Sequence, residues 1–573
     1  MRTVVGLPFC VGLIGSLIAC GGQAPSDARS PSGPEWFADV TDRLGLTFVH
    51  ETGPPTTYLM PYAVGSGGGF LDFDNDGRLD VLLLQNAPDA RGRNRLFHQE
   101  ANGTFRDVST GSGLDVAGYG MGVAVGDIHN DGWPDVLLTE YGRLRLFANR
   151  RNGTFEDVTR SAGLDSVEWG TSASFLDYDR DGWLDLFVAN YVLHSRKTCR
   201  TEDGAPEFCP PNRFEGGISR LYHNLGRSAR GPAGTPRFED VTTRAGLERK
   251  GSALGVVVAD FTGDRWPDIF VANDGMANGL WINRHDGTFR DEALARGVAY
   301  DAAGVYQANM GIAAGDVHGD GMLDLFVSHI TSELHNLWLQ GPTGSFQDRT
   351  SAMGLAYPKW RSTGFGTVFG DFDQDGALDL ALANGDVWAQ QTGARTRPQG
   401  DFWAPYAQRN QLFGNDGTGR FADISERNPS FSEPAGVSRG LAIGDIDGDG
   451  ALDLLVTRIA ASARLFRNTA PNRGHWLAIR ATLPESGGRD AYGAEVVVHA
   501  GSRAWKRVVN PGFSYLVSNA PDVHVGLGQV ERTDAITVVW PDGTEEQFPG
   551  GAVDRALTLR KGAGRPGERP GGS

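Results

Sequence analysis

The chain has 573 residues, 70 acidic against 53 basic, and a formal net charge of −17. That balance argues against nucleic acid as a partner and against electrostatic docking to anionic lipid. A content of 80 glycines and 10% aromatic residues fits many tight turns between buried strands and excludes a disordered chain.

The N-terminus comes first. Met1-Arg2 is a short basic start, Val4 to Ile18 is apolar but too short to span a bilayer, and Leu17-Ile18-Ala19-Cys20 is a small-residue cleavage site ending in cysteine. The segment resembles a bacterial lipoprotein signal, residues 1–20, in which Cys20 becomes the lipid-modified first residue of the mature chain. An ordinary secretory signal with an incidental cysteine remains the alternative. Residues 21–35, rich in Gly, Pro and Ser, read as a flexible tether. By lipoprotein convention, Gly21 rather than Asp after the cysteine implies the outer membrane. No later stretch is long and apolar enough to cross a membrane.

Between residues 36 and 469 a nine-residue acidic segment recurs seven times: DFDNDGRLD from Asp72, DIHNDGWPD from Asp127, DYDRDGWLD from Asp177, DFTGDRWPD from Asp260, DVHGDGMLD from Asp316, DFDQDGALD from Asp371 and DIDGDGALD from Asp445. Carboxylates at positions 1, 3, 5 and 9, with a turn glycine at 6, offer hard oxygen ligands at a spacing that suits calcium. Four copies are complete: Asp72, Asp74, Asp76 and Asp80; Asp177, Asp179, Asp181 and Asp185; Asp371, Asp373, Asp375 and Asp379; Asp445, Asp447, Asp449 and Asp453. Three are not. His129 stands among Asp127, Asp131 and Asp135, His318 among Asp316, Asp320 and Asp324, and Thr262 with Arg265 among Asp260, Asp264 and Asp268. These three would bind calcium loosely, use water at position 3, or serve as hydrogen-bonded turns; a softer metal at His129 or His318 is a further alternative. For every copy the bare hairpin turn without metal stays open.

Short β-branched runs precede and follow each acidic segment, so each joins two strands. A second element, L-(W/F/Y)-x-N, a Gly turn and F-x-D, adds two more, as in RLFHQEANGTFRDV from Arg95 and LWINRHDGTFRD from Leu280. Units of four short strands repeated every 50 to 60 residues or so predict an all-β, seven-bladed propeller. The last unit lacks its F-x-D strand, and FADVT from Phe37 is expected to complete it and close the ring. Within the third unit, Cys199 and Cys209 sit in an insertion and are expected to form a disulfide in an oxidising compartment. The sixth unit carries a second excursion from Val387, rich in Trp, Tyr and Arg. Such loops suit recognition surfaces, or simply cap the propeller. No catalytic motif or triad is legible, which favours binding over catalysis.

Residues 470–560 predict a small β domain with alternating strands at AEVVVHA and AITVVW. Its Trp476, Tyr515 and Trp540 read as packing in preference to a sugar- or protein-binding surface. Residues 561–573 read as an unstructured tail.

The repeats resemble the FG-GAP or VCBS repeats of integrin α-subunits and of the cartilage acidic protein family. NRGHWLAIR, YGAEVVVHAG, NPGFSYLVSNAPDVHVGLGQ and ITVVWPDGTEEQF resemble the ASPIC/UnbV domain that follows the propeller in bacterial members. Asn384-Gly385-Asp386-Val387 departs from the Asn-Gly-His-Val usual there. The resemblance implies several structural calcium ions and a binding or adhesion module, held at the bacterial cell envelope as a lipoprotein and facing periplasm or surface. Its partner would be a protein or carbohydrate, with membrane contact through the lipid anchor only. The alternative is an envelope hydrolase or carbohydrate-processing protein with its site in the inserted loops.

Overall fold

A computed structural model describes residues 33–53, 57–87, 92–193, 197–226, 236–389 and 402–567. The signal-like segment with Cys20, the tether up to residue 32, most of the sixth-unit excursion and the last six residues lie outside the described residues. Among the described residues no helix is long and apolar enough to cross a membrane.

Seven four-stranded antiparallel units form the propeller. Blade one runs Gly68–Leu71, Asp80–Leu83, Arg95–Gln99 and Phe105–Asp107. Blade six, Gly364–Gly370, Asp379–Asn384, Gln411–Asn415 and Phe421–Asp423, repeats the plan. Each acidic segment is the turn between a blade's first and second strands, and position 9 opens the second strand. In blade seven the outermost strand is Phe37–Asp39, paired antiparallel with Arg464–Asn468 in the register Phe37 to Asn468. First-to-last pairing therefore closes the ring, as FADVT predicts.

One-turn helices that the strand pattern hides follow several outer strands, at Thr41–Leu44, Thr159–Ala162 and Ala293–Arg296. The Asp of F-x-D nucleates them by accepting the N–H two residues on, as Asp39 does from Thr41 at 3.0 Å. A glycine in the left-handed region ends each, Gly45 at φ 80 for the first.

The C-terminal domain packs two sheets. His475–Leu483 lies between Val523–Gly528 and the parallel strand Arg555–Arg560. Opposite it, Glu495–Ala500 lies between Arg503–Val508 and Arg532–Val539, with Glu545–Ala552 beyond. Alternation along Glu495–Ala500 buries Val496 and Val498. Tyr515 and Trp540 are buried and Trp476 stacks against Gly450, so all three pack. The tail departs from expectation: Arg565–Pro566 pairs with Glu546 and Gln547, and Lys561 meets Glu485 and Asp542, so the chain is held down to residue 567.

This domain also threads the propeller. Residues 510–520 enter the central channel and bond to every blade. Gly68 and Val123 donate N–H groups to Leu516 O, and Leu516 N–H donates to Ser172 Oγ. Asn510 donates to Val258 O, Ser514 exchanges backbone bonds with Ile312, Thr367 N–H donates to Ser514 Oγ, and that hydroxyl donates to Leu441 O. Val517–Ser518 adds a parallel strand to blade one. At the centre Tyr515 is 0% exposed, with its hydroxyl donating to Val64 O at 3.1 Å. Its neighbours Ser514 and Leu516 hold φ values of 78 and 59, a strained region for non-glycine residues that the surrounding bonds over-determine.

Candidate metal centres on the capped face

The acidic turns share one backbone frame. The position-1 carboxylate accepts the N–H groups that the turn points inward: Asp72 from Asp76 and Gly77, Asp127 from Asp131 and Gly132, Asp445 from Gly448 and Gly450. The position-9 carboxylate, deeply buried, accepts from position 2 and from the third strand. Asp80 takes Phe73 and Gln99, and Asp379 takes Phe372 and Asn415. Turn position 6 needs positive φ, and Gly77 and Gly376 supply it at 84 and 98. In blade four Arg265 is forced to φ 73 and meets Glu545 of the C-terminal domain at 2.6 Å, which spends this turn on docking.

The side-chain amide ending each third strand also donates to the turn of the preceding blade. Asn149 reaches Phe73 O, Asn224 Ile128 O, Asn283 Tyr178 O, Gln340 Phe261 O, Asn415 Val317 O and Asn468 Phe372 O. Gln99 closes the circuit on Ile446 O. The L-x-x-N pattern held this signal, but only the ring reveals where the amide goes.

Positions 3 and 5 separate the turns. In blade one His98, from the third strand, lies 3.1 Å from Asp80 and 3.5 Å from Asp74, and Arg78 pairs with Asp76. His223 fills the same place in blade three, 3.0 Å from Asp185 and 3.4 Å from Asp179; the hydrogen bond to Asp185 pushes it up to about 9. In blades two and five the position-3 imidazoles turn inward. His129 meets Asp135 at 2.9 Å and His318 meets Asp324 at 3.0 Å, while Arg151 pairs with Asp131 and Asp264 of blade four with His285. In blade seven Arg467 reaches Asp447 at 2.5 Å, and both Arg467 and Arg473 reach Asp449.

Blade six alone puts no basic side chain within ion-pair distance of its carboxylates, among the described residues; Gly414 stands where His98, His223 and Arg467 stand elsewhere. Asp371 Oδ1 and Asp373 Oδ1 are buried without a hydrogen-bond partner. Burial pushes Asp371 up to about 8, against the opposing charge of Arg507, and Asp373 up to about 6, with neighbouring carboxylates adding to both shifts. Of the four complete copies, then, one has no basic side chain at its carboxylates among the described residues, two share them with imidazoles and one with two guanidinium groups. Sequence reading missed His98, His223, Arg467 and Arg473, because none lies within the nine-residue pattern.

The C-terminal domain covers these turns. Arg489, buried beside Asp177 and Asp127, donates to Gly182 O at 3.1 Å, and buried Arg507 lies near Asp371 and Asp316. Trp505 donates to Gly376 O, and Gly474 N–H to Asp373 O. A cavity of about 340 Å³ remains between ring and cap, lined in part by Asp72, Asp127, Asp371, Arg480, Arg489 and Arg507.

On the other face Cys199 and Cys209 are bonded, 5.0 Å apart at Cα. Glu207 of that insertion accepts from Tyr406 at 2.9 Å and from Ala389 N–H, and Phe208 stacks on Trp403. The two inserted segments therefore pack on each other as a cap. Their described residues bring no catalytic triad together.

The FG-GAP-like repeat family matches residues 72–138, 127–188, 260–327 and 401–456, and the ASPIC and UnbV family matches 484–566. Cartilage acidic protein 1 of Xenopus tropicalis is 30% identical over 317 residues, 53% of this chain and 44% of that protein. The Homo sapiens protein is 30% identical over 319 residues, covering 53% and 43%. The chain spans less than half the length of these relatives. Among solved structures, an Agrocybe aegerita lectin described as recognising non-reducing terminal N-acetylglucosamine overlaps with 15% identity and a TM-score of 0.34, covering 68% of this chain and 83% of that one.

Proposed function

We propose, for a chain that joins FG-GAP-like repeats to an ASPIC and UnbV domain and is homologous to cartilage acidic protein 1, the role of a calcium-stabilised extracytoplasmic binding module held at the cell envelope through Cys20. The observation that carries the calcium reading is the sixth turn. Asp371, Asp373, Asp375 and Asp379 share one turn, two of their oxygens are buried without a partner, and among the described residues no basic side chain comes within ion-pair distance of them. Such a donor set is costly as it stands, and a hard divalent cation would relieve it. The imidazole-bearing turns of blades one and three and the arginine-paired turn of blade seven are weaker candidates. A disulfide in the insertion supports an oxidising, extracytoplasmic setting. Because the cap covers the acidic turns, a bound ion would serve the fold, and partners would meet the opposite face.

The test is a calorimetric calcium titration of the full-length protein after chelation. One strong site lost in Asp373→Asn supports the reading. No saturable heat at about millimolar calcium would sink it.

A further inference from the structure

The face away from the C-terminal domain holds a second cavity, of about 200 Å³. Segments from several blades and both insertions build it, among them the helix Met60–Val64, the disulfide insertion at Phe208 to Asn212, the chain just beyond two second strands at Tyr191 and Asp274, the connection through Tyr306 to Met310, Glu333, and Val387 with Trp388. Most of the wall is apolar, from Met60, Val64, Leu254, Met310 and Phe365.

Its two charged side chains, Asp274 and Glu333, are both acceptors. Asp274 accepts the Tyr191 hydroxyl at 2.6 Å, and Glu333 accepts Ala308 N–H at 2.9 Å. Gln307 Oε1 is buried and without a partner. Among the described residues no lysine or arginine lines the cavity. His329, 3.9 Å from Glu333 and fully buried, is held well below its ordinary protonation range by burial, so it supplies no charge. Burial likewise raises both carboxyls, Asp274 up to about 7, and among the described residues neither has an ion-pair partner of permanent charge. At the mouth stand two partly exposed aromatics, Tyr306 at 57% and Trp388 at 42%.

Two desolvated carboxyls and an unsatisfied amide oxygen in an apolar chamber call for a donor-rich, positively charged occupant with an apolar stem. Aromatic faces at the entrance favour the same charge. A bare divalent ion would need six or more oxygens, which these walls do not offer. We propose that this cavity binds an organic cation, an ammonium or guanidinium group on an apolar stem, carried by a small amine or by a lysine or arginine side chain of a peptide. The inference gives the binding module a ligand class. It rests on the binding part of that reading and is independent of metal at the acidic turns.

The experiment is isothermal titration of the full-length protein with N-acetyl-lysine amide, n-hexylammonium, the uncharged N-acetyl-norleucine amide, N-acetylglucosamine and calcium, each in chelator-treated buffer except the last. Saturable binding of either amine, with the norleucine compound weaker by at least about tenfold, is the expected result. Tighter binding of the lysine compound identifies a peptide as the source, and tighter binding of hexylammonium a free amine. Asp274→Asn and Glu333→Gln should each weaken the amine by about tenfold or more, and the rim variant Trp388→Ala, which perturbs no core, by about threefold. No amine binding, equal binding of the norleucine compound, binding of the sugar alone, or amine binding untouched by all three variants would overturn the proposal. Calcium heat retained while amine binding is absent would leave the metal reading standing.

Discussion

Replacing Asp373 by Asn should move stability in opposite directions with and without calcium. In chelator the wild-type turn holds carboxylates whose buried Asp371 Oδ1 and Asp373 Oδ1 have no partner. An amide of the same shape removes one like charge, worth about 1–2 kcal/mol after screening at this partly exposed turn. With calcium at about 10 mM and a site of Kd about 10⁻⁴ M, occupancy adds about 2.7 kcal/mol to the wild type. The unfolding entropy of a chain this size, about 2 cal/mol/K per residue, makes each kcal/mol roughly 1 °C. Differential scanning calorimetry should therefore find the variant about 1–2 °C above wild type in chelator, with its calcium increment smaller by about 2–3 °C. Equal losses in both conditions would mean that Asp373 is only a hydrogen-bonding turn residue. An undiminished calcium increment would place the ion elsewhere.

Asp449→Asn should behave differently although it lies in an equally complete acidic segment, because Arg473 and Arg467 already occupy that carboxylate. Burial opposes its ionisation, yet the Arg473 hydrogen bond holds it below its ordinary range. A loss of about 1 kcal/mol, the same in chelator and calcium, is expected from calorimetry, with a double-mutant cycle against Arg473→Ala isolating the pair. Tyr515→Ala should cost about 3–5 kcal/mol and expose the 510–520 segment to limited proteolysis, since the ring fills the channel. Asp274 titrates at about 7 in the fold against 3.8 unfolded, facing Tyr191 and Glu333. The folded state thus holds the extra proton between these values, and stability falls as pH rises through that window. Asp274→Asn removes the effect, so its stability relative to wild type should rise by about 2 kcal/mol from pH 5 to pH 8 in urea titrations.

Much of the propeller was legible because its signals are local. Asp at position 1 and glycine at position 6 make their turn within nine residues, and alternation reports which strand face is buried. Even ring closure could be read, since a missing F-x-D strand after Asn468 matches a surplus one at Phe37. The fate of each acidic turn could not. Asp72, Asp177, Asp371 and Asp445 begin segments of the same form, yet His98 and His223 come from third strands, Arg467 from another and Arg473 from beyond the propeller. Charge compensation depends on what folding carries to the turn, and that is set by position in space. The same holds for the run NPGFSYLVSNAP, which reads as a loop of a small β domain. Its hydrogen bonds go to seven blades between 68 and 443, and no local pattern encodes a partner some 450 residues away. The far-face cavity draws its acceptors from Asp274, Gln307 and Glu333 and its rim from Tyr306 and Trp388, residues unremarkable one by one. The chain by itself determined the repeating unit, its turns and its closure, because those depend on neighbours in sequence. Tertiary structure decided which carboxylates are paired, which stay free and what fills the channel, because desolvation and long-range contact exist only once the ring has closed.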